Sequence, residues 1–147
     1  MASHCVGLIL PGMIELDVFD TIQMPYSCLA PRHHDWITKA AESGAGIIIR
    51  GGIAHGGPGA EIDRPALFDV WTQAALDELL VDGMSRSELI LRYTISHPHC
   101  HTTIVGTCNP EHLDENISTL TKGPLDTSVY DEVTTRVQQV LDDIEPK

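Results

Sequence analysis

Two short stretches carry side chains and backbone groups whose spacing could do chemistry. The first is Gly106-Thr107-Cys108-Asn109-Pro110. Asn before Pro is a helix opening: the Asn side chain accepts an orphan amide, and Pro loses nothing where its N–H would be unpaired anyway. Such a helix turns free N–H groups and a partial positive charge toward the residues before it, a natural seat for a phosphate. Gly106 lets a backbone approach closely, and Thr107 adds a hydroxyl. The second stretch, His97-Pro98-His99-Cys100-His101, puts four metal-ligating side chains in five residues, with His33, His34 and His55 elsewhere. A His-rich metal-binding module is one reading. Spacing argues against it, because zinc ligands usually come in pairs roughly two to four residues apart, whereas alternate residues of an extended segment face opposite ways. No metal is expected.

The composition narrows the partners. With 21 acidic against 9 basic residues and a net charge of −12, the chain repels phosphate backbones at long range, which argues against nucleic acid and anionic membrane surfaces. A small anionic ligand stays open, since clustered amides override the mean field locally. No apolar run approaches the roughly 20 residues that span a bilayer, and Val6–Leu10 is broken by Pro11 without a basic flank. The four cysteines show no CxxC spacing, so free thiols in a reducing compartment, the cytoplasm, are the expectation.

Elements must position these groups, and their order is informative. Val18–Gln23 reads as a strand ended by Pro25, and Pro31–Glu42 as a helix with Trp36, Ile37, Ala40 and Ala41 on one face, stopped at Gly44. Gly46–Arg50 reads as a strand buried on both faces. Gly51 to Gly59, with five glycines and a proline in nine residues, reads as a flexible loop whose backbone could meet a ligand. Ala66–Leu80 predicts a helix with Leu67, Val70, Trp71, Ala74, Ala75 and Leu79 along one side. Ser85-Arg86-Ser87-Glu88 fits a capping box opening another, which runs to about Ser96. Thr102–Gly106 is the third strand; helices follow from Asn109 to about Thr121 and over roughly Ser128–Ile144. Strands alternating with helices predict an α/β fold with a parallel sheet.

These residues resemble the aldo/keto reductase family. Ile104-Val105-Gly106-Thr107-Cys108-Asn109-Pro110-Glu111-His112-Leu113-Asp114-Glu115-Asn116 is similar to the family's strand eight and following helix. Leu91-Arg92-Tyr93-Thr94-Ile95-Ser96-His97-Pro98 resembles the helix before it. Asp20-Thr21-Ile22-Gln23-Met24-Pro25-Tyr26-Ser27 resembles strand six, and Gly44-Ala45-Gly46-Ile47-Ile48-Ile49 resembles strand seven. The four matches run in family order over about residues 14 to 125. The resemblance implies a partial (β/α)8 TIM barrel: the C-terminal three βα units with parallel strands, where complete barrels run to about 250 residues. Residues 1–147 are read as one incomplete domain, with an irregular start over 1–13 and a C-terminal helix over 126–147.

What the resemblance implies for function is a nucleotide site without its catalytic partner. Thr107 and Cys108 would lie by the adenosine phosphate, Glu115 and Asn116 by the adenine. Gln23 would bond the nicotinamide carboxamide, and Arg50-Gly51-Gly52-Ile53 would run beneath the nicotinamide and pyrophosphate. The implied cofactor is NADP(H), with NAD(H) as the alternative. Family members commonly carry Lys or Arg where this chain has Cys108 or His112, to hold the 2′-phosphate. Losing such a charge-assisted contact costs about 1.5–3 kcal/mol, roughly ten- to a hundredfold in affinity. Arg50 stands where the family often stacks an aromatic ring on the nicotinamide. The catalytic Asp, Tyr, Lys and His belong to the family's first four strands, so no catalytic residue is assigned here. The expectation is a truncated, cytoplasmic oxidoreductase-family chain, inactive alone in carbonyl reduction. Alternatively it is a non-catalytic nucleotide- or partner-binding half-barrel that needs an N-terminal half or self-associates through exposed sheet edges.

Overall fold

The computed structural model describes residues 2–53, 65–81 and 83–144. Helix α1 covers Ala2–Glu15, strand β1 Thr21–Pro25, helix α2 His34–Glu42 after a 3-10 turn at Pro31–His33, and strand β2 Gly46–Arg50. Then come α3 (Pro65–Gln73), a 3-10 turn (Leu76–Leu79), α4 (Arg86–Ser96), β3 (Thr102–Ile104), α5 (Pro110–Lys122) and α6 (Thr127–Ile144). The three strands form one sheet in the order β1-β2-β3, both pairings parallel. This is the α/β partial barrel that the resemblance implies. Most of the expected loop from Gly51 to Gly59 lies outside the described residues, as does His55.

Alternation along the strands divides the sheet into two unlike faces. Ile22, Met24, Ile47 and Ile49 are buried against the helices. Thr21, Gln23, Ile48, Thr102 and Ile104 point the other way and are partly or largely exposed. Parallel strands buried on both faces were expected at Gly46–Arg50. Among the described residues only one face is covered, so Ile48 is half-buried while its neighbours Ile47 and Ile49 are fully buried.

Local corrections have local causes. The expected irregular start at residues 1–13 is helix α1, which runs through Pro11. Leu10 and Ile14, one turn apart, anchor it on the core. Strand β1 begins at Thr21 rather than Val18, because its first partner is Gly46 and Asp17 sits in a left-handed conformation. The single helix expected over Ala66–Leu80 breaks after Gln73 at Ala75, φ 49°. The break buries Leu76 and lets the Asp77 carboxylate take the Trp71 indole N–H at 3.0 Å and the Arg86 guanidinium at 2.7 Å. A buried indole needs such an acceptor. At the end of α2, Gly44 at φ 99° closes a Schellman motif, with Ala45 N–H on Ala40 O and Gly44 N–H on Ala41 O.

His97 and His101 serve the fold. His97 is 2% exposed; its Nδ1 accepts the His99 amide at 3.1 Å, and its ring packs against those of Tyr26 and His34. His101 Nδ1 accepts the Ile47 amide at 3.0 Å, prolonging the sheet's hydrogen bonding at its lower end. Among the described residues no group of three or more His, Cys, Asp or Glu is placed to hold a metal ion. The three cysteines with described side chains, Cys28, Cys100 and Cys108, are free, and burial pushes the Cys28 thiol up to about 12. Among the described residues no helix is long and apolar enough to cross a membrane.

Burial, reinforced by the neighbouring His34 and His99, lowers His97 to about 4. An unfolded His titrates near ~6.5. The unfolded chain therefore binds a proton that the folded chain refuses between these values, and stability falls as pH drops from about 6.5 to about 4. Urea midpoints measured across this window should fall less steeply in His97→Gln than in the parent chain. Parallel slopes would show that His97 is not the group responsible.

Candidate functional site

A cleft of about 540 Å³ opens where β2 and β3 end. Its lining comes from the β2 exit (Arg50, Gly51, Gly52, Ile53), the β3 exit (Ile104, Val105, Gly106, Thr107), the first turn of α4 (Ser87) and α5 (His112, Glu115, Asn116). Sites for small molecules commonly span about 300–1,000 Å³. The ends of parallel strands are also where α/β folds place ligands.

Each wall has a reason to be where it is. The β2 exit loop turns sharply at Gly51, φ 69°. The Thr94 hydroxyl on α4 pins it by donating to Gly52 O at 2.9 Å. Gly52 lies so close to β3 that a Cβ there would meet Thr103 Oγ1 at 2.7 Å and Thr94 Cγ2 at 3.1 Å. Gly106, by contrast, has nothing within 4 Å of where a Cβ would stand, so its backbone is bare toward the cleft. Helix α5 is capped by Asn109, whose Oδ1 accepts the Glu111 amide at 3.0 Å, and Pro110 has no N–H to offer. The His112 amide is left as the open donor of that turn among the described residues. Thr107 Oγ1 accepts the Asn109 amide at 3.1 Å, which sets the turn into α5.

The α4–α5 wall is held by charge. Glu88 is nine-tenths buried, and its carboxylate meets Lys122 of α5 at 2.7 Å and Arg92 at 3.5 Å. Arg92 also donates to the carbonyls of Gly123 and Pro124, each at 3.0 Å, so it ties α4 to the end of α5. The expected capping box is half present. Ser85 Oγ accepts the Glu88 amide at 3.1 Å, but the Glu88 side chain turns to the two cations instead of back to Ser85.

Of the nine residues singled out in the sequence, Arg50, Gly51, Ile53, Thr107, His112, Glu115 and Asn116 share this cleft. Gln23 and Cys108 do not line it. Gln23 lies on the open face of β1, level with Ile48 and Thr102, below the cleft and two strands from α5. Cys108 is exposed in the turn before the N-cap. Sequence reading missed Ser87, which reaches the cleft only because α4 packs beside α5. Its place in a capping-box sequence pointed to a helix start and to nothing else.

The sequence model of the aldo/keto reductase family matches residues 16–137. Among solved structures, the fold is similar to aldo-keto reductase AKR11C1 from Bacillus halodurans. For the holo form the TM-score is 0.73 at 21% identity, over 87% of this chain and 46% of that one. For the apo form it is 0.73 at 20% identity, over 87% and 47%. The chain spans about half the length of the structures it matches. No curated protein matches it significantly.

The contact beneath Gly52 is testable. Gly52→Ala should lower stability by about 1–3 kcal/mol, the usual cost of forcing atoms into filled space. Thr103→Ala removes a hydroxyl whose oxygen is buried without a hydrogen-bond partner among the described residues. Combined with Gly52→Ala, it should restore most of the loss in a double-mutant cycle read by urea unfolding. Additive losses would mean the two positions do not collide.

Proposed function

Because this chain belongs to the aldo/keto reductase family, we propose that the cleft holds a nicotinamide dinucleotide, NADP(H) or NAD(H), and that the chain supplies the nucleotide-holding part of a carbonyl reductase site. The observation that carries this reading is the convergence of the β2 exit, the β3 exit and α5 on one cleft. Seven residues chosen from sequence meet there. The donor set suits the ligand. Gly51 and Gly106 allow close backbone approach, Arg50 and the α5 amide offer positive charge for a pyrophosphate, and Glu115 with Asn116 can bond a base edge. When bound, the dinucleotide supplies the hydride for reduction of an aldehyde or ketone. The residues here bind and orient it; none of them matches the family's catalytic Asp, Tyr, Lys or His.

Neither Cys108 nor His112 is a permanent cation, so selectivity for a 2′-phosphate should be weak. Titration of the chain into NADPH should change its fluorescence saturably. Glu115→Ala combined with Asn116→Ala should abolish that change, while generic aldehydes are not turned over. The absence of any saturable signal would dispose of the binding reading, and turnover above background would dispose of the inactive one.

A second reading follows from the uncovered surface: the chain docks on a partner that continues its sheet. Ile104 on β3 is 53% exposed, and Leu113 and Ile117, one turn apart on α5, are 49% and 52% exposed. Exposed apolar side chains beside a free sheet edge invite pairing. In sedimentation runs the chain should associate, and Leu113→Asp with Ile117→Asp should reduce the association. A parent chain that stays monomeric at every accessible concentration would contradict this.

A further inference from the structure

The turn at residues 97–101 holds two imidazoles that accept backbone amides, and neither lines the cleft. His101 is the one that touches the sheet. Along β2 the Gly46 amide turns toward β1 and donates to Asp20 O at 2.8 Å. The next amide, that of Ile47, is directed at the opposite edge, where β3 has not yet begun: its first residue, Thr102, stands opposite Ile48. The His101 ring fills that place, and its Nδ1 takes the Ile47 N–H at 3.0 Å. One rung between β2 and β3 is therefore a side chain. The rest of the ladder is short, since only three residues of β3 are in register with β2. Ile47 itself is fully buried, and a buried amide that loses its acceptor is costly.

That rung has a chemical condition. A neutral imidazole has one acceptor nitrogen and a protonated one has none, so the Ile47 amide is satisfied only while His101 is uncharged. His101 is exposed, within reach of solvent protons. His97, four residues back, is its opposite. It is buried against Tyr26 of the β1 exit and His34 of α2, with His99 beside it, and its Nδ1 takes the His99 amide. Its lowered value, about 4, keeps that end of the turn neutral. Facing His101, β2 offers only Gly46, Ile47 and Ile48, none of which titrates. Among the described residues neither imidazole is ion-paired, and burial pushes the Cys100 thiol between them up to about 11. We propose that His101 is a proton-operated latch on β3: neutral, it holds the start of the strand against β2; charged, it lets that end go while His97 keeps the turn anchored to the helices. The strand so released is the one whose exit, from Ile104 to Thr107, lines the cleft. Acid thus loosens one wall of the cleft whatever ligand enters it, and the latch does not depend on the dinucleotide reading.

The test is hydrogen exchange of the full chain, followed amide by amide by NMR from about pH 8 to about pH 5, the span in which imidazoles change charge. After correction for intrinsic exchange, protection of the Ile47 amide should fall about fivefold across this span, the loss of one neutral hydrogen bond. The β3 amides that donate to β2 should lose protection with it. The midpoint of the fall should coincide with that of the His101 ring proton shift. In His101→Ala the Ile47 amide should be poorly protected at both ends of the span, with no step between them. Constant protection in the parent chain, or the same step in His101→Ala, would overturn the latch. So would a step at Ile47 that leaves the β3 amides protected, because the bond would then break without freeing the strand. Should His101→Ala not fold, the parent chain decides alone: an Ile47 step displaced from the His101 ring titration rules the latch out, and a coincident one supports it.

Discussion

Glu88 is a carboxylate in the interior, and its two cationic partners join the helices that form one wall of the cleft. A charge taken from water is costly unless it is paired and its oxygens bonded. Here Arg92 and Lys122 supply the pairing, from its own helix and from the next. Arg92 does a second job at the same time, bonding the carbonyls of Gly123 and Pro124 just past the end of α5. These contacts put α4 and α5 side by side in one register. Ser87 at the start of one then faces the same space as Glu115 and Asn116 on the other. Lysine in place of Arg92 could not serve in the same way, because only the guanidinium fork reaches carboxylate and carbonyls together.

The floor of the cleft depends on a different kind of constraint, close packing of backbone on side chain. Gly52 rests on Thr103 and Thr94 with no space for a Cβ, and the Thr94 hydroxyl holds its carbonyl. The β2 exit loop is thus tied to both β3 and α4. Arg50 and the first turns of α5 thereby line one cleft in a chain whose net charge is −12. Over a few ångströms, a fixed dipole or cation outweighs a diffuse and screened charge.

The same sheet that builds the site leaves one face uncovered. On the helix side, Met24, Ile47 and Ile49 are fully buried and joined by Trp71, Leu89, Ile90 and Val133. On the other side Gln23, Ile48 and Thr102 form a row that no helix covers among the described residues. Helix α5 carries Leu113, Ile117 and Leu120 outward, the spacing of an apolar stripe made to pack on something. A barrel covers such surfaces by closing on itself, and the match to the solved reductase covers 46% of that chain.

Local rules carried much of the fold into the sequence. The Asn109-Pro110 opening, the glycine stop at Gly44 and the β-branched run at Ile47–Ile49 each depend on a few neighbouring residues. Parallel pairing followed from the alternation of elements. The resemblance to the family selected Thr107, His112, Glu115 and Asn116, all within one turn and the helix after it, so a short local segment carried them together. Tertiary contact alone decided the rest. The run at 66–80 has helical periodicity, yet it breaks at Ala75 so that Asp77 can meet Trp71 and Arg86. Residues 2–15 hold a helix despite Pro11 because the core receives Leu10 and Ile14. Gln23 falls below the cleft because parallel register sets its height against Ile48. Ser87 enters the cleft through a clamp whose partners are 4 and 34 residues away from Glu88. Periodicity reports which side of an element is apolar; only packing reports what that side, or the end of a neighbouring helix, will meet.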